Sequence, residues 1–141
     1  MKEFKMRKAT NLIAGLALSI FLFSVPASGS QLTIDTLAQS LSEIRTRVQR
    51  DAFWNRHKGI RVPLHGYVTD VKPRSWTRPM VVEMATSQRN VSISCQVVAS
   101  SQRFAAALNV GDAVTCIGTL RDYLLFLGEL TVIMVDATVR R

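Results

Sequence analysis

The stretch Val110-Gly111-Asp112-Ala113-Val114-Thr115-Cys116-Ile117-Gly118-Thr119-Leu120 constrains this chain more than any other. It reads as a tight Gly-Asp turn that feeds a strand. Strand side chains alternate between faces, so Val114, Cys116, Gly118 and Leu120 share one side, and Ala113, Thr115, Ile117 and Thr119 share the other. Upstream lies a short Ala-rich helix, and before it a strand that carries the other cysteine, Cys95. That order of elements points to a small β-barrel.

The first residues are set apart from the fold. Lys2, Lys5, Arg7 and Lys8 form a basic start, and an apolar run extends from Leu12 to Val25. Val25-Pro26-Ala27 and Ala27-Ser28-Gly29 both offer the small residues of a cleavage site. A spanning helix needs roughly 20 apolar residues, and this run is shorter. Residues 1–29 therefore read as a signal peptide, with an uncleaved anchor as the alternative. No cysteine follows the run closely, so a lipid anchor is not indicated. The expected product is exported and periplasmic, with no transmembrane span once the leader is removed. Removing the four cations together with Glu3 lowers the net charge from +8 to +5. The basic residues that remain are arginines apart from Lys58 and Lys72. This bias suits planar anion recognition, and a GC-rich genome gives it equally well.

Ile34, Leu37, Leu41, Ile44 and Val48 recur at steps of three and four, so residues 33–54 read as one amphipathic helix. Thr33 or Asp35 caps its start, and its cations gather toward the end that the helix dipole favours. The helix either docks on the domain or serves as a dimerising or partner-binding surface. Phe53 and Trp54 end it, and Asn55 to Gly59 form a basic connector.

After Gly59 the period changes to two. Val62, Leu64, Gly66 and Val68 share a face, and Gly66 marks a bulge or bend by which the strand curls. A loop from Lys72 to Arg78 leads to a second strand, Met80 to Met84, and a polar turn, Ser87 to Asn90. Val91, Ile93, Cys95 and Val97 then alternate with Ser92, Ser94 and Gln96. Ser100 or Ser101 caps a short helix, Gln102 to Leu108, in which Phe104 and Leu108 pair; Asn109 and Gly111 close it. The opening stretch is the fourth strand, and Glu129 to Val139 the fifth. Between them Asp122 to Gly128 is unusually apolar for a connection.

Three strands, a helix and two strands is the order of an OB-fold, a five-stranded Greek-key barrel. The fold class is all-β with accessory helices: the signal peptide over 1–29, an amphipathic N-terminal helix over 30–56 and the barrel over 57–141. Residues 54–139 resemble the small exported OB-fold domains called tRNA-anticodon-domain-like. The resemblance rests on Gly66-Tyr67-Val68-Thr69-Asp70-Val71, on Cys95 in the third strand, and on the run from Leu108 to Gly118. It implies a fold and no particular ligand. Cys116 and the apolar segment after it depart from the family pattern.

Cys95 shares parity with the inward residues of its strand, and Cys116 with those of the fourth. Strand five lies between strands three and four in this topology, so a Cys95–Cys116 disulfide would cross the barrel interior. The alternative is two buried thiols. Lys72, Arg74, Trp76 and Arg78 sit on the connection between strands one and two, where cations and an indole suit an anionic polymer, nucleic acid included. Tyr123, Leu124, Leu125 and Phe126 offer an interaction surface if exposed, and otherwise extend a strand or lie under the N-terminal helix. His57 and His65 stand alone; no metal site, cofactor or catalytic set is expected. Asp51 is the one carboxylate near His57 with which it could pair. The expected function is a non-enzymatic envelope binding module whose partner is another envelope protein or an anionic polymer.

Overall fold

Alternation is what closes this chain. The computed structural model describes residues 32–43 and 46–141; the leader expected at 1–29 lies outside them. Five strands follow the apolar periodicity: β1 Arg61–Lys72, β2 Val81–Ala85, β3 Val91–Val97, β4 Ala113–Phe126 and β5 Glu129–Arg140. They join as a closed barrel in the order β1-β2-β3-β5-β4. β3 and β5 pair in parallel, and the other neighbours are antiparallel. With a helix between β3 and β4, this is the topology of an OB-fold.

The inward residues form the barrel's core. Leu64 and Val68 from β1, Val82 and Met84 from β2, Ile93 from β3, Leu120 from β4, and Val132 and Met134 from β5 are all buried. Each such side chain contributes about 1.5–3 kcal/mol by leaving water. Cys95 and Cys116 are bonded, with Cα atoms 6.6 Å apart, and tie β3 to β4 through this interior. Two glycines permit the tight curvature. A Cβ on Gly118 would stand 2.8 Å from Ala137 Cβ, and the β4–β5 register slips at that point. A Cβ on Gly66 would stand 2.5 Å from the Ala85 carbonyl. The bulge expected at Gly66 instead falls between Val68 and Asp70, so Gly66 serves close approach to β2.

The N-terminal region corrects the expected single helix. It forms two, α1 Ile34–Glu43 and α2 Arg47–His57. Thr33 caps α1, its hydroxyl accepting from Thr36 N at 3.2 Å, and Thr46 caps α2 by accepting from Gln49 N at 3.3 Å. Ile44 lies outside the described residues. Val48, expected on the apolar stripe, is 79% exposed, because the chain restarts at Thr46 and rotates the second helix. The connector expected from Asn55 is helical through His57. Ile34, Leu37, Ala38 and Leu41 join the barrel core, and Asp35 accepts from Gln88 Nε2 at 3.1 Å, which puts α1 at the barrel end bearing the β2–β3 turn.

The other end is covered by a 3₁₀ turn, Ala99–Ser101, and α3, Gln102–Ala106. Ser101 makes no side-chain cap, since the preceding turn already has helical backbone. The helix ends at Ala106, short of the Leu108 expected to pair with Phe104 within it. Ala105 and Leu108 are buried, and Phe104 stays half-exposed under the Arg141 guanidinium, 5.8 Å from its ring centre. Residues 122–128 are not a connection. β4 runs through Phe126, and a two-residue turn, Leu127-Gly128, leads directly into β5.

Candidate functional site

The buried side chains occupy the barrel interior, and the exposed large apolar residues lie outside it. β1 ends at Lys72, and every residue from Lys72 to Pro79 is exposed. Ser75 N donates to Arg78 O at 2.9 Å, folding the loop into a turn with Trp76 near its apex. The Trp76 side chain is wholly in solvent, at 106% relative exposure. Lys72 Nζ lies 3.5 Å from Glu83, which also accepts from Ser94 Oγ. Arg74 and Arg78 line a shallow depression with Trp76, Val97 and Gln102. The loop thus presents an exposed indole, with Arg74 and Arg78 lining the same depression.

The second exposed feature is the β4–β5 ribbon. β1 leaves β4 at Thr119, so beyond that point β4 pairs with β5 alone. At the ribbon's root, Tyr123 packs on α2. Its ring centre is 5.2 Å from that of Trp54, and its hydroxyl donates to Asp51 at 2.7 Å. Burial and then the Asp51 carboxylate raise the Tyr123 pKa, because both disfavour a phenolate. Trp54 is buried, and its indole N–H has no partner among the described residues. Past Tyr123 the described chain leaves the ribbon largely open: Leu124 is 57% exposed, Leu125 38%, Phe126 73% and Leu127 86%. The expected docking of the N-terminal helix on this segment therefore holds for Tyr123 and fails for its neighbours.

The two features do not meet. The loop adjoins the Val97 end of β3, and the ribbon tip adjoins the Val91 end, where Leu125, Leu130 and Val91 pair in succession. The length of β3 separates them by about 20 Å.

The histidines and turn carboxylates have local partners. His57 Nδ1 is 2.9 Å from Phe53 O, and His65 Nδ1 is 2.7 Å from Thr115 Oγ1. Asp51 faces Tyr123 and Arg47, so the Asp51–His57 pair that their proximity in sequence allows is not made. Asp112 accepts from Asn109 N at 2.9 Å and from Arg141 at 3.2 Å; these donors, the backbone one first, hold its pKa below the usual carboxylate range. Among the described residues no three His, Cys, Asp or Glu side chains gather as metal ligands. Sequence reading missed the Asp51–Tyr123 contact, which spans 72 positions and leaves no local signal.

No family model and no curated protein sequence matches this chain. Solved structures do. A lipoprotein of Klebsiella pneumoniae, provisionally assigned as nucleic acid-binding, superposes with a TM-score of 0.53 at 15% identity, over 79% of this chain and 93% of that one. A replication factor A related protein of Methanobacterium thermoautotrophicum gives 0.40 at 16% identity, over 59% and 81%. A protein of Leishmania major, provisionally assigned as an aspartyl-tRNA synthetase, gives 0.47 at 9% identity, over 90% of this chain and 26% of that one. At these identities the likeness to the lipoprotein is one of fold. Together with the strand order, it makes this chain a five-stranded barrel of OB-fold type.

Proposed function

We propose that this chain is a non-enzymatic binding module of the bacterial envelope, exported by the leader read at 1–29 and acting in the periplasm. One contrast carries the reading: the barrel interior is filled by side chains, and Trp76, Leu124, Phe126 and Leu127 stand in solvent at its rim. A ligand that cannot enter the barrel is met there. The disulfide suits an oxidising compartment. The resemblance to exported tRNA-anticodon-domain-like barrels agrees with the topology. The partner is another envelope component.

A second reading, an anionic polymer with nucleic acid among the possibilities, rests on the loop. Arg74 and Arg78 flank a free indole, and neither guanidinium has a charged or hydrogen-bonding partner among the described residues. Stacking on Trp76 with phosphates neutralised by Lys72, Arg74 and Arg78 gives affinity without sequence preference.

Salt separates the two. Affinity capture from an envelope fraction at low and high ionic strength should retain a discrete component at both. Capture lost at high salt assigns the ligand to the loop, since each neutralised phosphate contributes about 0.7 to the salt slope on a single strand. The Arg74→Ala, Trp76→Ala double variant must then lose that binding. Nothing retained at either ionic strength sinks both readings.

A further inference from the structure

The β4–β5 ribbon carries its apolar residues in a way that a flat partner cannot cover. Successive side chains leave opposite faces of a strand. Leu124 and Phe126 therefore occupy one face, Leu125 the other, and Leu127 the apex. A docking protein surface would cover one face and leave the other in water, whereas a medium that surrounds the tip covers all four. From Leu124 to Leu127 the ribbon reaches about 10 Å, which matches the roughly 5–10 Å to which interfacial anchors enter a bilayer.

The apex residue points the same way. Leu127 adopts φ +49° and Gly128 φ +79°. A two-residue turn with both φ positive favours Asn-Gly or Gly-Gly, because a branched side chain is strained there. A leucine at this position keeps an apolar group at the most distal point of the ribbon against the backbone's preference.

Behind the tip α2 is cationic, while the ribbon itself carries Arg121 with Asp122 and Glu129, the last paired with Phe126. α2, which packs on Tyr123 at the ribbon's root, carries with its C-cap Arg47, Arg50, Arg56 and Lys58 against the single carboxylate Asp51. Apolar residues foremost and cations behind them follow the order of an anionic bilayer met from outside, hydrocarbon boundary beyond charged headgroups.

We propose that the β4–β5 tip is a membrane finger: Leu124, Leu125, Phe126 and Leu127 enter the acyl boundary of an anionic bilayer while cations of α2 meet its headgroups. The proposal rests on the envelope reading for the presence of a membrane and is independent of the Lys72–Arg78 loop.

The test uses residues 32–141, which form one compact unit with its own core and disulfide and lack the apolar leader. The parent protein should sediment with vesicles of mixed phosphatidylglycerol and phosphatidylcholine, and less with phosphatidylcholine alone. Leu127→Asn should weaken partitioning about tenfold or more, the loss of one buried leucine. It should melt no lower than the parent, because asparagine tolerates a positive φ. Phe126→Trp should show a blue-shifted emission on vesicle addition beyond any change in the parent. Arg74→Ala, Trp76→Ala should sediment like the parent, so failure of the polymer reading leaves this one standing. A parent that stays in the supernatant with both vesicles overturns the proposal, as does equal sedimentation of Leu127→Asn or an unmoved emission in Phe126→Trp. A concentration-dependent dimer that Leu127→Asn dissolves assigns the tip to a second copy and overturns it too.

Discussion

β4 changes its surroundings at Leu120 without changing its secondary structure. It pairs with β1 from Ala113 to Thr119 and with β5 from Thr115 onward, and Val114, Cys116 and Leu120 are buried. From Arg121 to Phe126 it keeps β5 and loses β1, and its most apolar residues, Leu124 and Phe126, lie in solvent. The difference shows that strand residues are buried by the neighbours that close over their face, whatever their own hydropathy. The half without a charged residue makes the core, and the half that opens on Arg121-Asp122 leaves Leu124, Leu125 and Phe126 at the surface.

The same leucine-to-alanine change should act very differently in the two halves. Leu120→Ala should cost about 2–5 kcal/mol, because it opens a cavity in a filled barrel. Leu124→Ala should cost no more than about 0.5 kcal/mol, as a substitution on an exposed surface does. Urea or thermal unfolding of both variants checks this; equal losses would mean that the ribbon is a cooperative part of the core.

The next effect concerns the covalent tie that anchors the inner half. Removing the bond with Cys95→Ala and Cys116→Ala should cost about 3 kcal/mol, since the cysteines are 21 positions apart and the bridge closes a loop of that size. For a domain of this length that is a fall in melting temperature of about 12–24 °C. Melting within a few degrees of the parent would place the barrel's stability in side-chain packing alone.

The inner half of β4 was legible in the sequence, and the outer half was not. Alternation from Val114 to Leu120 is a local property, and the parity of Cys95 and Cys116 followed from it. Where β4 ends is decided by Leu127-Gly128, which lacks the asparagine or paired glycines that usually mark a two-residue turn. The break between α1 and α2 was hidden because Ile34, Leu37, Leu41, Ile44 and Val48 keep a helical step across it. Thr46-Arg47-Val48-Gln49 was the signal that could have shown it, since a threonine followed three residues later by glutamine marks a helix start. The basic loop was readable from composition. That it lies at the opposite end of β3 from the apolar tip was not, because it depends on β3–β5 pairing between distant segments.

At the junction of the two halves, Tyr123 donates to Asp51 and holds α2 on the ribbon's root. Tyr123→Phe should cost about 1 kcal/mol or less, the net worth of one hydrogen bond near the surface. The pH dependence has a definite sign. The Tyr123 pKa is raised in the folded state, so its contribution is intact below the ordinary tyrosine value of about 10 and is lost as pH rises from there through the folded-state value. The parent should therefore lose stability more steeply than Tyr123→Phe in alkaline unfolding titrations. Parallel curves would show that the contact does not hold the helix in solution.

The smallest expected effect lies at the tip and has the opposite direction. Leu127 is exposed and sits at φ +49°. Leu127→Gly removes little packing and relieves a strained backbone, while glycine's freer unfolded chain offsets part of the gain. The net change should be a stabilisation of at most about 1 kcal/mol, read as a slightly higher urea midpoint with an unchanged slope. Nowhere in the inner half of β4 should a leucine-to-glycine change raise stability. A clear loss at Leu127 would show that its side chain packs in solution, and the contrast between the halves would then end at Phe126 instead of Leu120. A gain would show that the apolar apex is kept at a cost to the fold, as a residue selected for what it touches outside the molecule would be.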